Sequence, residues 1–273
     1  VVVAMQSRFI SVALLALLAA CSKAPQGEAE KTTQALAAPV APAPPPAPAA
    51  SGRKVEVKSD LFEFTYNYPA AAANIPALKS WLEADLAKGR KGLEDSAKEG
   101  REEAKSSGFD YQPYANGTDW SVVADLPQWL SLSAMVYDYS GGAHPNHGYA
   151  ALLWDKAAGK RIAASDLFIS KVALSAALRG SFCDLLDKER SKRRGEKVNR
   201  ASGDDFDKCI DPVESTVILG SSDKQHFDRI GVLVGPYEAG PYAEGDYEIT
   251  LPVTAKLLAA VKPAYRGAFA AGR

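Results

Sequence analysis

Along "FEFTYNY" the residues Phe62, Phe64, Tyr66 and Tyr68 alternate with other positions at the period of two that a half-buried β-strand requires. The opening segment from Val55 therefore reads as one strand, which Pro69 stops. The period then changes. Ile75, Leu78, Leu82, Leu86 and Leu93 recur at near-helical spacing with lysine and glutamate between them, predicting an amphipathic helix from Ile75 to about Lys105, interrupted near Gly89 to Gly92. The charges on it, including Glu94, Lys98, Glu102 and Glu103, read as a solvated face. "DWSVVADL", "WLSLSAMVYDYS" and "GYAALLWD" bring strand signals back, the second with Leu130, Leu132, Ala134 and Val136 alternating. Asn116-Gly117-Thr118 spells a glycosylation sequon but reads as a turn. A second helix begins near Ser170, an N-cap residue, and carries Leu174, Leu178, Phe182, Leu185 and Leu186 on one face. "STVILGS", "HFDRIGVLVGP" and "DYEITLPV" are strands, followed by a helix from about Thr254 to Val261. Strands and helices mix without regular alternation, which predicts an α+β fold: a largely antiparallel sheet with two main packed helices.

Ahead of this body the pattern differs twice. Met5 to Arg8 supplies one positive charge, and Phe9 to Ala20 is apolar apart from Ser11, the outline of a signal peptide. The run is shorter than the roughly 20 residues a spanning helix needs. Val1 to Ala4 are expected to lie upstream of the true start. Leu18-Ala19-Ala20-Cys21 resembles the bacterial lipobox, whose cysteine is acylated and becomes the first mature residue. That resemblance implies a lipid anchor on Cys21, and Ser22 after it implies sorting to the outer membrane. From Ala35 to Gly52 the chain is almost wholly alanine and proline, a composition that extends at about 3.1 Å per residue and buries no core. The expected organisation is a signal peptide over 1–20, a lipidated disordered Ala/Pro linker over 21–52, and an α+β body in two parts, 53–126 and 127–273.

Export changes the reading of the remaining cysteines. Only Cys183 and Cys209 are left to pair in an oxidising compartment, so a disulfide between them is expected, the alternative being two separate buried thiols. With 32 Lys+Arg against 33 Asp+Glu the chain carries no nucleic-acid footprint, and no nucleic-acid partner is expected. Lys188 to Arg200 is net basic, whereas Asp204, Asp205, Asp207, Asp211 and Glu214 make the next stretch acidic; both read as solvated surface rather than as a binding patch.

Candidate chemistry concentrates in "YSGGAHPNHG", Tyr139 to Gly148, which holds two of the three histidines where glycine and proline forbid a helix. Gly141 and Gly142 suit positive φ, and Pro145-Asn146 suits the middle of a tight turn, so a structured connection between strands accounts for the string. An exposed, shaped loop of this kind is a recognition element. Tyr139, Gly141, Gly142, His144, Pro145 and Asn146 are the candidate ligand-binding residues, an imidazole serving as hydrogen-bond donor or acceptor. A metal would need a third ligand beyond His144 and His147, with His226 the one histidine left, and neither metal nor cofactor is expected. Ser140 has no nucleophile elbow, and Asp155 and Asp166 suit turn bonding and capping, so no catalytic residue is assigned. Tyr237, Tyr242 and Tyr247 suit either stacking on sugar rings or packing at a sheet edge.

Three segments in order, Tyr139 to Asn146, "LLWDKAAGKRIAASDLF" and "GPYEAGPYAEGDYEITLPV", resemble the RsiV-like extracytoplasmic domain of unknown function. That domain occurs in lysozyme-sensing anti-sigma factors and in some peptidoglycan deacetylases. Roughly Val55 to Leu126 is similar to the domain that usually precedes it, which makes 127–273 the RsiV-like part. A deacetylase catalytic domain after Val261 and a spanning helix before the tether are not expected. The resemblance implies a cell-envelope lipoprotein on the periplasmic side of the outer membrane, held to the membrane by its lipid anchor. It implies a non-catalytic binding or sensing module whose partner is a lysozyme-type protein or a peptidoglycan fragment. For the lysozyme branch, the acidic stretch Asp204 to Glu214 would meet a cationic enzyme. The alternatives are an enzyme acting on wall polysaccharide or peptide with His144 as acid or base, and a structural docking protein of the envelope.

Overall fold

In the computed structural model residues 51–272 are described; the expected signal peptide, Cys21 and all but the end of the expected Ala/Pro linker lie outside the described residues. The alternating aromatic segment is the second arm of a hairpin rather than one long strand. β1 (Arg53–Lys58) and β2 (Phe62–Tyr68) pair antiparallel, and the Ser59 hydroxyl fixes the reversal by accepting from Leu61 N and Phe62 N. A single turn, α1 (Ala70–Ala73), and the long α2 (Pro76–Ser107) then carry the chain to β3 (Tyr114–Asp125), which lies parallel to β2.

Helix α2 runs unbroken through Gly89 and Gly92, where an interruption is predicted. A glycine in a helix interior costs only about 1 kcal/mol, and Leu78, Leu82 and Ala97, buried on either side of the pair, hold the helix on the sheet. At Gly100 the reason for glycine is steric: a Cβ there would stand 2.2 Å from the Tyr114 hydroxyl oxygen.

β4 (Trp129–Tyr139), β5 (Asn146–Asp155) and β6 (Lys160–Ile162) complete a six-stranded sheet in sequence order, antiparallel apart from the β2–β3 pair. Asn116-Gly117-Thr118 is not a turn but part of β3. Asn116 is opposite Phe64 on one side and Asp138 on the other. A Cβ on Gly117 would lie 2.6 Å from Thr65 Oγ1, so glycine is there for close strand approach. Leu126 and Pro127 occupy the connection between β3 and β4, inside this one sheet.

Helix α3 (Lys171–Arg194) starts where the Ser170 hydroxyl accepts from Ala173 N at 3.0 Å. β7 (Thr216–Gly220), β8 (Arg229–Val234) and β9 (Tyr247–Pro252) form a second antiparallel sheet, and α4 (Ala255–Ala260) follows. α3 packs on β9 and α4, while β7 lies against β3, β4 and β5. The fold is α+β, with a mostly antiparallel sheet, a second smaller one and two long helices.

Two hydrophobic cores result, and both reach into β4 and β5. Leu130, Leu132, Leu152 and Trp154 belong to the core beneath α2, with Leu78, Leu82 and Trp120. Trp129 and Leu153, their immediate neighbours in sequence, belong to the core with Leu178, Phe182, Ile230, Val232 and Ile249. A bulge between Val122 and Ala124 shifts the phase of β3, so Trp120 enters the first core and Ala124 the second although they stand four positions apart.

Cys183 on α3 and Cys209 are joined by a disulfide with Cα atoms 5.5 Å apart, anchoring the loop that follows the helix. The bridge closes a loop of sequence separation 26, and the chain-entropy relation puts its stabilisation at about 3–4 kcal/mol. A Cys183→Ala/Cys209→Ala variant is expected to lose that amount in chemical denaturation. Reductant should shift the wild-type curve by the same amount and leave the variant where it is.

Candidate ligand-recognition site

The string that drew attention in the sequence is the hairpin connection between β4 and β5. The strands stay paired out to Asp138 opposite Asn146. Gly141 and Gly142 make the reversal at φ +94° and +100°, a region costly for any side chain. The reversal is not centred on Pro145-Asn146, because Asn146 is already the first residue of β5. The Tyr139 hydroxyl donates to Gly142 O at 3.2 Å and closes the loop on itself.

This hairpin docks on the segment that enters β9. The His144 ring stacks on Tyr242 with centroids 4.1 Å apart, and the Tyr242 hydroxyl donates to Pro145 O at 3.1 Å. His144 Nδ1 faces the same carbonyl at 2.9 Å, so Nδ1 carries the proton, since a carbonyl only accepts. Its Nε2 lies 3.4 Å from the hydroxyl of Tyr237, a residue 52% exposed and held at φ +67°. Three residues on, His147 Nε2 meets both oxygens of Asp246 at 2.8 and 3.0 Å. The Tyr149 hydroxyl donates to the same carboxylate at 2.6 Å, and burial together with that bond pushes the phenol well above its ordinary pKa.

Arginines of α3 fasten the receiving segment from behind. Arg194 grips Glu244 bidentately at 2.7 and 3.1 Å and reaches Asp207 at 2.7 Å. Arg190, fully buried, donates to Ala239 O at 2.8 Å and to Lys208 O at 3.0 Å. Arg193 lies over the Tyr247 ring, 4.0 Å from its centroid. Most of the two charged stretches is solvated surface, as expected, but Arg190, Arg194 and Asp207 are exceptions. Arg190 and Arg194 on the inner face of α3 and Asp207 beyond them are turned into the fold, while Asp205 pairs with Lys208 at the surface at 2.6 Å. Burial alone would raise the Glu244 carboxyl, but Arg194 and the Tyr247 hydroxyl outweigh it and hold the group below the usual range. Tyr247 is pushed up to about 12 by burial and by its bond to Glu244.

All six candidate ligand-binding residues, Tyr139, Gly141, Gly142, His144, Pro145 and Asn146, lie on this hairpin, and Tyr139 also borders a groove at its root. Pattern reading of the loop missed its partners: Asp246, Tyr149 and the arginines of α3. The available signal was the density of tyrosine, glycine and acid in "GPYEAGPYAEGDY". Asp155 accepts from Ala158 N at 2.8 Å, and Asp166 from Ala163 N at 3.2 Å. His226 pairs with its neighbour Asp223 at 3.0 Å and takes no part in the site. Among the described residues no group of three or more His, Cys, Asp or Glu side chains is gathered as a metal site, and no helix is long and apolar enough to cross a membrane.

Residues 55–147, from β1 through the hairpin loop, match the family model described as deacetylase PdaC, about a third of the chain. Among solved structures, a member of the DUF3298 family from Bacteroides fragilis is similar at 20% identity, over 80% of this chain and 95% of that one, with a TM-score of 0.47. A DUF3298 family protein from Pseudomonas aeruginosa is similar at 16% identity, over 81% and 95%, with a TM-score of 0.49. No curated protein matches the chain.

The Glu244 clamp has a definite pH signature. A carboxylate whose folded pKa is lowered contributes stability that is complete above its ordinary pKa of 4.5 and is lost as pH falls through the lowered value. Glu244→Gln should destabilise by roughly 2–3 kcal/mol at neutral pH. The gap to wild type in urea unfolding should narrow on acidification below pH 4.5.

Proposed function

We propose that this chain is a lipid-anchored binding or sensing module of the cell envelope, acylated at Cys21 and held on the periplasmic side of the outer membrane. Its body is of the RsiV-like kind, 53–126 preceding the RsiV-like part 127–273, and its ligand is a peptidoglycan fragment in preference to a lysozyme-type enzyme. The observation that carries the reading is that the Gly141–His144 loop is exposed yet immobilised, by the Tyr242 stack, the bond to Pro145 O and the His147–Asp246 link. A loop ordered before binding loses little entropy on contact, which is what a recognition surface requires.

Other features support the finer choices. His144 has a carbonyl on one nitrogen and a phenol near the other, with no carboxylate to orient it, which favours binding over acid–base catalysis. Asp207 is turned inward onto Arg194 and Asp205 is neutralised at the surface by Lys208, which reduces the acidic surface a cationic enzyme would need and favours the wall fragment. The match to a deacetylase family model over 55–147 supports an envelope setting.

The full chain should co-sediment with purified peptidoglycan, and a His144→Ala/Tyr237→Ala variant that melts like wild type should bind roughly tenfold more weakly. Failure of the wild type to sediment, with a salt-sensitive complex forming on lysozyme instead, transfers the reading to the enzyme partner. For the anchor, cells fed labelled palmitate should label the wild type and leave Cys21→Ser unlabelled; equal labelling of both, or of neither, removes the lipoprotein assignment.

A further inference from the structure

A groove of about 410 Å³ opens at the root of the hairpin, between α2 and the ends of β2, β3 and β4. Phe64 and Tyr66 lie buried beneath its floor, and the half-buried rings of Tyr114 and Tyr139 line it, with Asp85 and Asn116 among them. That volume falls in the range of small-ligand sites, which are mostly apolar with a few placed polar groups.

The polar groups are held in place. The Tyr66 hydroxyl donates to Asp85 at 2.8 Å while accepting from Trp120 Nε1 at 3.1 Å, and the Asn116 amide donates to Tyr137 O at 3.1 Å. Among the described residues, Lys88 and Asp138 at the rim keep their charged ends free of protein partners.

The glycines of α2 show that the space is not an accident of packing. Gly100 cannot be replaced without striking Tyr114. Gly89 and Gly92, which face the groove, have no such excuse. A Cβ on Gly92 would meet nothing within 4 Å, and one on Gly89 would make an ordinary 3.7 Å contact with Phe64. Each therefore costs the helix about 0.5–1 kcal/mol relative to alanine with no return in packing. What the two do provide is a gap in the helix wall, between Lys88 and Leu93, opposite Tyr114 and Tyr139.

We propose that this groove binds a saccharide, one or two rings of a glycan chain. Aromatic faces suit the C–H faces of sugar rings, and planar carboxylate and amide groups suit neighbouring hydroxyls as paired acceptors and donors. The gap at the glycines gives a broad, flat ring a way in. The site is separate from the exposed face of His144 and Tyr237. The choice of an N-acetylhexosamine oligomer as probe rests on the envelope reading above; the saccharide class does not.

The test is calorimetric titration of the full chain with chitotetraose, and in parallel with cellotetraose and maltotetraose. Saturable binding of at least one is expected. Gly92→Leu, which places a side chain in open space, and Asp138→Ala, at the exposed rim, should each weaken it about tenfold or more while melting at or above the wild-type temperature. His144→Ala/Tyr237→Ala should leave it unchanged. No binding of any oligosaccharide by the wild type overturns the proposal, as does full binding by Gly92→Leu. Because peptidoglycan also carries glycan chains, the variants separate the two readings: an effect of His144→Ala/Tyr237→Ala on sedimentation reads the hairpin, and an effect of Gly92→Leu on oligosaccharide titration reads the groove, so absence of one effect with retention of the other shows which assignment has failed.

Discussion

The structure depends on burying the β4–β5 pair from both sides. Trp129 beside Leu130 and Leu152 beside Leu153 are adjacent large apolar residues, and adjacent residues of a strand point to opposite faces. Each face therefore needs a cover, and the chain supplies two: α2 over one, and the second sheet with α3 behind it over the other. The bulge in β3 serves the same demand by steering Ala124 into the second core after Trp120 has entered the first. With its base gripped in this way, the β4–β5 hairpin can project a loop beyond the cores without losing its geometry.

Charge does in the distal layer what apolar packing does in the cores. The segment from Pro236 to Asp246 contributes few buried apolar side chains, so polar contacts hold it. Arg190, Arg193 and Arg194 grip it from α3, and His147 and Tyr149 bind its Asp246 from β5. Removing one partner from such a set is costly because the other charge stays behind, desolvated. The hairpin loop and the tyrosines beside it thus form one shaped surface assembled from residues about a hundred positions apart.

The glycines divide by cause. Gly141 and Gly142 answer a backbone need, Gly100 and Gly117 a steric one, while Gly89 and Gly92 answer neither and leave a groove open. A helix pattern broken by two glycines looks like an interruption when read along the chain. It is a continuous helix whose two glycines leave a gap facing the groove.

Local periodicity was enough to determine the α+β class, the helix starting after Ser170, the strands of the C-terminal half and the glycine-driven reversal between β4 and β5. Each of these rests on a spacing of two or of about four, or on one residue's backbone preference. The split of the first strand into a hairpin, the strand pairing of Asn116 and the persistence of α2 through its glycines were decided by tertiary contacts, because cross-strand hydrogen bonds and a buried helix face outweigh local propensities of about 1 kcal/mol. Arg190, Arg194 and Asp207, within charged stretches that are otherwise solvated, were misread for a related reason. Sequence shows the sign of a charge but not its partner, and only the fold brings Arg194 to Glu244 and Asp207, where burial turns apparent surface into a clamp.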